Sequence, residues 1–72
     1  MSKFSERIKT CRKSTTTQKA MAEYLDLSER AYQHYEAGTR EPNFDVTSKI
    51  ADYFSVSVDF LLGRTDNPAV NH

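Results

Sequence analysis

Apolar residues recur at helical spacing in five separate stretches of this chain, and most stretches are bounded by a residue suited to capping a helix. Phe4, Ile8 and Cys11 share one face and predict a first helix over 4–13. Met21, Ala22 and Leu25 line a second over 18–25, and Ala31, Tyr32 and Tyr35 form an inward stripe on a third over 29–37. Asn43, after Pro42, caps a fourth whose Phe44, Ile50, Ala51 and Phe54 have core spacing. Ser57 opens a short fifth helix through Leu62 that stops at Gly63. Tyr32, Tyr35, Phe44, Tyr53, Phe54 and Phe60 all fall at core positions, and no stretch alternates as a strand would. The expectation is an all-α fold.

The junction between the second and third helices is the most informative part of the pattern. Asp26 stands where the chain must turn, and Asp tolerates the left-handed conformation such a turn often needs. Leu27 buries the elbow, Ser28 is a good N-cap, Gly38 is a stop signal, and small Ala22 lets the two helices cross closely. Outward on the third helix remain Glu29, Arg30 and Gln33, with His34 on the flank. A helix of eight or nine residues is roughly 12 to 13 Å long, comparable to a B-DNA major groove about 12 Å wide. Its N-terminal half would address two or three base pairs, so binding of duplex DNA is the leading expectation.

Four stretches, in order and at family spacing, resemble the Cro-like and phage-repressor helix-turn-helix family, also called the xenobiotic-response-element class. They are ERIKTCRK at 6–13, TQKAMAEYL at 17–25, SERAYQHYEAGTREP at 28–42 and KIADYFSVSVDFLLGRTDNP at 49–68. The resemblance implies a compact five-helix, lambda-repressor-like domain that binds double-stranded operator DNA as a homodimer and regulates transcription, most simply as a repressor. It also implies that Gln18 grips a phosphate and that the segment around the fifth helix supplies or supports the dimer interface, with Val56, Val58, Phe60, Leu61 and Leu62 as candidates, two or three of which are expected in the core instead. The chain departs from the family pattern in having Asp26 for the usual turn Gly, Tyr32 for an aliphatic residue and Thr47 for Leu. Ala20 stands where a Glu commonly completes a capping box with Thr17, so that cap is expected to be weaker.

Each candidate contact carries its own chemistry. Arg30 suits guanine or phosphate, and alternatively an ion pair with Asp26 or Glu29. Glu29 accepts from cytosine N4 or merely complements the helix dipole, and Gln33, one turn later, suits adenine. His34 reaches a base or phosphate, or only solvent. Arg12, Thr39 and Arg40 are expected at backbone phosphates, and Thr17, Lys19 and Ser28 at the two helix starts complete the set.

Length and charge refine the picture. At 72 residues the chain supports one small core. It is read as a DNA-binding domain over 1–66 and a flexible tail over 67–72, and 64–72 as a polar tail with Pro68, expected to be disordered unless a partner holds it. Net charge is zero, yet residues 1–40 hold eight of the ten Lys and Arg against five acids, and residues 41–72 hold two against five. Phosphate attraction follows local potential, so a basic half remains compatible with DNA. A lone cysteine excludes an internal disulfide, and Cys11 with His34 and His72 makes no zinc pattern. No cofactor, metal or catalytic constellation is expected, nor any membrane segment, and the expected location is the cytoplasm. Acidic Glu29 and the zero net charge also admit a rival: a protein-interaction module or antitoxin-type regulator acting through a protein antagonist or effector.

Overall fold

A computed structural model describes residues 3–69. It contains α1 (Lys3–Lys13), α2 (Gln18–Tyr24), α3 (Glu29–Ala37), α4 (Phe44–Phe54) and α5 (Val58–Leu61), with no strand among the described residues. Four helices begin as their sequences dictate. The side chains of Thr17, Ser28, Asn43 and Ser57 accept from the backbone N–H of Ala20, Ala31, Val46 and Phe60 at 3.1, 3.1, 2.9 and 3.0 Å. Each such cap contributes about 1 kcal/mol. The Ala at position 20 removes the reciprocal half of a capping box, but the Thr17 half forms.

The turns that separate the helices use the left-handed region. Asp26 adopts φ 58° at the α2–α3 elbow, Gly38 adopts φ 79° after α3 and Ser55 adopts φ 56° after α4. At the elbow the Leu27 N–H reaches back to the Ala22 carbonyl at 2.9 Å, closing α2 and aiming the chain into α3.

Among the described residues, five large hydrophobic side chains are wholly excluded from solvent, one from each helix: Ile8, Met21, Tyr32, Ile50 and Leu61. Around them α3 packs on α1 and α2, while α1 also meets α4 and α5. Tyr24 meets Tyr53 edge-on at 4.9 Å and Tyr53 meets Phe54 at 5.2 Å, binding the end of α2 to α4.

One expectation is corrected. Phe44 is 73% exposed, because it lies on the first turn of α4, past the edge of the core, and the inward stripe starts at Thr47. Tyr53, Phe54 and Phe60 are half-buried and pack against the core cluster, and Cys11 is half-buried, its thiol pushed up from its ordinary value by burial. The segment after Gly63 is hydrogen-bonded back to the helices. Arg7 donates to the carbonyls of Phe60 and Thr65, both at 2.6 Å, and to the Asp66 carboxylate at 2.7 Å, with its guanidinium 4.1 Å from the centre of the Phe60 ring. The Ser57 N–H then bonds the Pro68 carbonyl at 3.0 Å. Val70 to His72 lie outside the described residues.

Gly63 illustrates how closely this closure packs. It has φ 79°, and a Cβ there would sit 2.9 Å from the Lys3 Cβ. Gly63→Ala is expected to lower unfolding free energy by about 1 to 3 kcal/mol in urea titration, whereas Phe44→Ala should change it by no more than about 0.5 kcal/mol.

Candidate nucleic-acid interface

The candidate contacts divide between two helix starts and the loop after α3. Glu29, Arg30 and Gln33 are exposed on one side of α3, backed on the other by buried Tyr32 and Tyr35, whose rings meet edge-on at 6.4 Å. Ser28 is exposed at the N-cap of α3. Thr17 and Lys19 are exposed beside half-buried Gln18 at the start of α2. Thr39 and Arg40 are exposed in the loop, and the His34 ring Nδ1 lies 2.9 Å from the Thr39 hydroxyl. Arg30 takes part in none of the ion pairs found among the described residues.

Arg12 does not join this surface. Its side chain is 14% exposed and engages Glu36, itself 3% exposed, through Nε at 2.5 Å and Nη2 at 3.1 Å. An arginine committed to a buried carboxylate is not available to a phosphate, so the expected phosphate contact is withdrawn. Glu36, which is absent from the sequence-based candidates, is the buried centre of this arrangement. It lies four residues after Tyr32 on the inward stripe, and an acid at an inward helix position demands a buried cationic partner.

From Glu36 a polar chain leads to the surface. Gln18 Nε2 donates to Glu36 Oε1 at 3.1 Å, and Gln33 Nε2 donates to Gln18 Oε1 at 3.2 Å and to Glu29 Oε2 at 3.5 Å. Burial pushes the Glu36 carboxyl up, but the hydrogen bonds from Arg12 and Gln18, the nearby Tyr32 hydroxyl and the Arg12 charge outweigh it and hold Glu36 below its ordinary value. The Tyr32 hydroxyl is close enough to that carboxylate for the two to affect each other's ionisation, yet it makes no hydrogen bond of ordinary geometry. Burial and the neighbouring Glu36 both push its ionisation up.

The candidate interface residues on and around α5 separate likewise. Leu61 is fully buried within its own core, which removes it from any interface, and Phe60 is covered on one face by Arg7. Leu62 is 48% exposed. Half-buried Val56 and Val58 line an open concavity of about 450 Å³ together with Ala51, Asp52 and Asn67. No group of His, Cys, Asp and Glu suited to a metal occurs among the described residues, and no helix there is long and apolar enough to cross a membrane.

Residues 8–61 match the family described as "Helix-turn-helix". The chain is 41% identical, over 93% of its length and 59% of the relative's, to the "Uncharacterized HTH-type transcriptional regulator YqaE" of Bacillus subtilis (strain 168). It is 36% identical, over 88% of its length and 50% of the relative's, to the "HTH-type transcriptional regulator ImmR" of the same organism. It is 38% identical, over 86% of its length and 56% of the relative's, to the "Cryptic phage CTXphi transcriptional repressor RstR" of Vibrio cholerae. The chain thus spans between 50% and 59% of the length of these three relatives. No solved structure matches it.

The ion pair makes two measurable demands. Arg12→Met leaves a carboxylate buried without its partner and should cost about 3 to 5 kcal/mol, more than the double replacement with Glu36→Met. Because folding lowers the Glu36 value, its contribution is complete above the ordinary 4.5 and drains away as pH falls from there through the folded value. Urea midpoints followed from neutral into acid should therefore fall more steeply for the parent than for Glu36→Gln.

Proposed function

The chain belongs to the helix-turn-helix family, and from that premise we propose that it is a sequence-specific duplex-DNA-binding transcriptional regulator. It acts as a repressor and reads the major groove with α3. The observation that carries this is the outer face of α3. Glu29, Arg30 and Gln33 stand exposed on a helix whose opposite side is fixed by Tyr32, Tyr35 and the Arg12–Glu36 pair. Around that face, Thr17, Gln18, Lys19, Ser28, Thr39 and Arg40 supply hydroxyl, amide and cationic groups suited to phosphates, and His34 borders it beside Thr39.

One such helix reads too few base pairs to single out a site, whereas a twofold dimer reads two half-sites about 34 Å apart. Exposed Leu62 and the Val56–Val58 concavity are the surface offered for that pairing. Over a promoter the dimer blocks polymerase. Relatives named as transcriptional regulators and as a transcriptional repressor favour the same reading.

The competing reading, a module that acts through a protein partner without touching DNA, is favoured by acidic Glu29 on the same face and by the zero net charge. Selection of duplexes from a random pool separates the two. Enrichment of a twofold site, with affinity falling steeply as salt rises, supports the regulator, and no retention even at low ionic strength supports the rival. At an enriched site, Arg30→Ala should cost about 1 to 3 kcal/mol and relax preference at one base pair, while Arg40→Ala should weaken every sequence alike. In sedimentation, Leu62→Glu should shift the protein from dimer to monomer and abolish preference for paired half-sites.

A further inference from the structure

Hydrogen-bond polarity runs outward from the buried ion pair in one direction only. An ionised carboxylate is an acceptor and nothing else, and Glu36 is held ionised by the two-point contact with Arg12. Gln18 must therefore turn its NH2 group inward, to Glu36, which leaves its carbonyl oxygen facing α3. Gln33 meets that oxygen and must present its own NH2 to it. The same Nε2 lies 3.5 Å from a Glu29 carboxylate oxygen, within reach of its second hydrogen. Both amide hydrogens of Gln33 are then engaged within the protein, and its carbonyl oxygen is the group left to face outward. The orientation of each amide follows from the charge beneath it.

Resting on the DNA-reading role of α3, we propose that this relay makes Gln33 and Glu29 an acceptor-only pair that selects cytosine through its exocyclic amine. Adenine is read by an amide in two-point fashion, with the oxygen taking N6–H and the NH2 donating to N7. Gln33 has no hydrogen left for N7, and the N7 lone pair would face acceptors on both side chains. Cytosine presents the N4–H2 donor without a neighbouring acceptor on its own groove edge, and Glu29 and Gln33 both accept. The sequence-level expectation of adenine at Gln33 is thus replaced by cytosine. Gln18 acts as a positioning residue that sets the base preference through Gln33.

Site selection from a random duplex pool with the parent and two variants tests this. The parent should enrich cytosine at the position facing Gln33. Gln33→Met, at an exposed site where folding is not at risk, should lose roughly tenfold discrimination there and keep the remaining positions. Gln18→Met, its fold verified by circular dichroism, frees the Gln33 amide to turn over and should shift that position from cytosine toward adenine. The readout is base identity, which loss of a phosphate contact by Gln18 would not alter. Enrichment of adenine by the parent, an unchanged cytosine preference in Gln33→Met, or an unchanged preference in folded Gln18→Met overturns the inference while leaving DNA recognition by α3 intact. A pool with no enriched sequence overturns the DNA-reading role itself, and the inference with it.

Discussion

One full charge inside the domain governs the placement of α3. Glu36 occupies the inward stripe of α3 between residues that belong to the core, and an unneutralised carboxylate there would cost several kcal/mol. Neutralisation comes from α1 through Arg12, and a further hydrogen bond comes from α2 through Gln18. Three helices therefore converge on one carboxylate. Tyr32 and Tyr35 supply the apolar bulk that holds α3 down, but bulk tolerates rotation about the helix axis. A two-point guanidinium–carboxylate contact does not, because a small roll breaks one of its two bonds.

The elbow supplies the complementary constraint. With Asp26 left-handed and the Leu27 N–H bonded to the Ala22 carbonyl, the direction in which α3 leaves α2 is set by backbone geometry. A non-glycine residue in that conformation costs about 1 kcal/mol, and Asp is among the side chains that bear it best. Elbow and ion pair thus control different freedoms, the first the crossing of the helices and the second the roll of α3. Together they determine which side chains lie outermost, which is the property a reading helix has to possess.

What could be read from the chain was what depends on near neighbours. The caps at Thr17, Ser28, Asn43 and Ser57 and the left-handed Asp26 involve residues within three or four positions of each other, and each formed as its side-chain chemistry dictates. Arg12 was placed among the phosphate contacts because its carboxylate lies 24 residues away, and the Arg7 bonds that hold Thr65 and Asp66 span 58 and 59 residues. Spacing along a helix tells which face a residue shares, but not whether anything covers that face at its end, and this is why Phe44 is exposed. Glu36 did leave a signal: an acid four residues after an inward tyrosine. That signal points to a buried partner without naming it.

The folded charge distribution weakens one argument and strengthens another. Pairing of Arg12 with Glu36 removes one base and one acid from the same half of the chain, so the +3 excess within residues 1–40 survives it. The Arg7–Asp66 pair joins opposite halves and reduces that excess to +2. What remains is a mild bias carried by exposed side chains such as Lys13, Lys19, Arg30 and Arg40, in a molecule that is neutral as a whole. Long-range attraction of such a surface to a polyanion is small, and screening at physiological salt confines it to about 8 Å. Under the proposed function, discrimination then has to arise at contact, from donors and acceptors held in place before the DNA arrives. An interior ion pair that fixes the roll of α3 is the element that would supply such preorganisation under the proposed function.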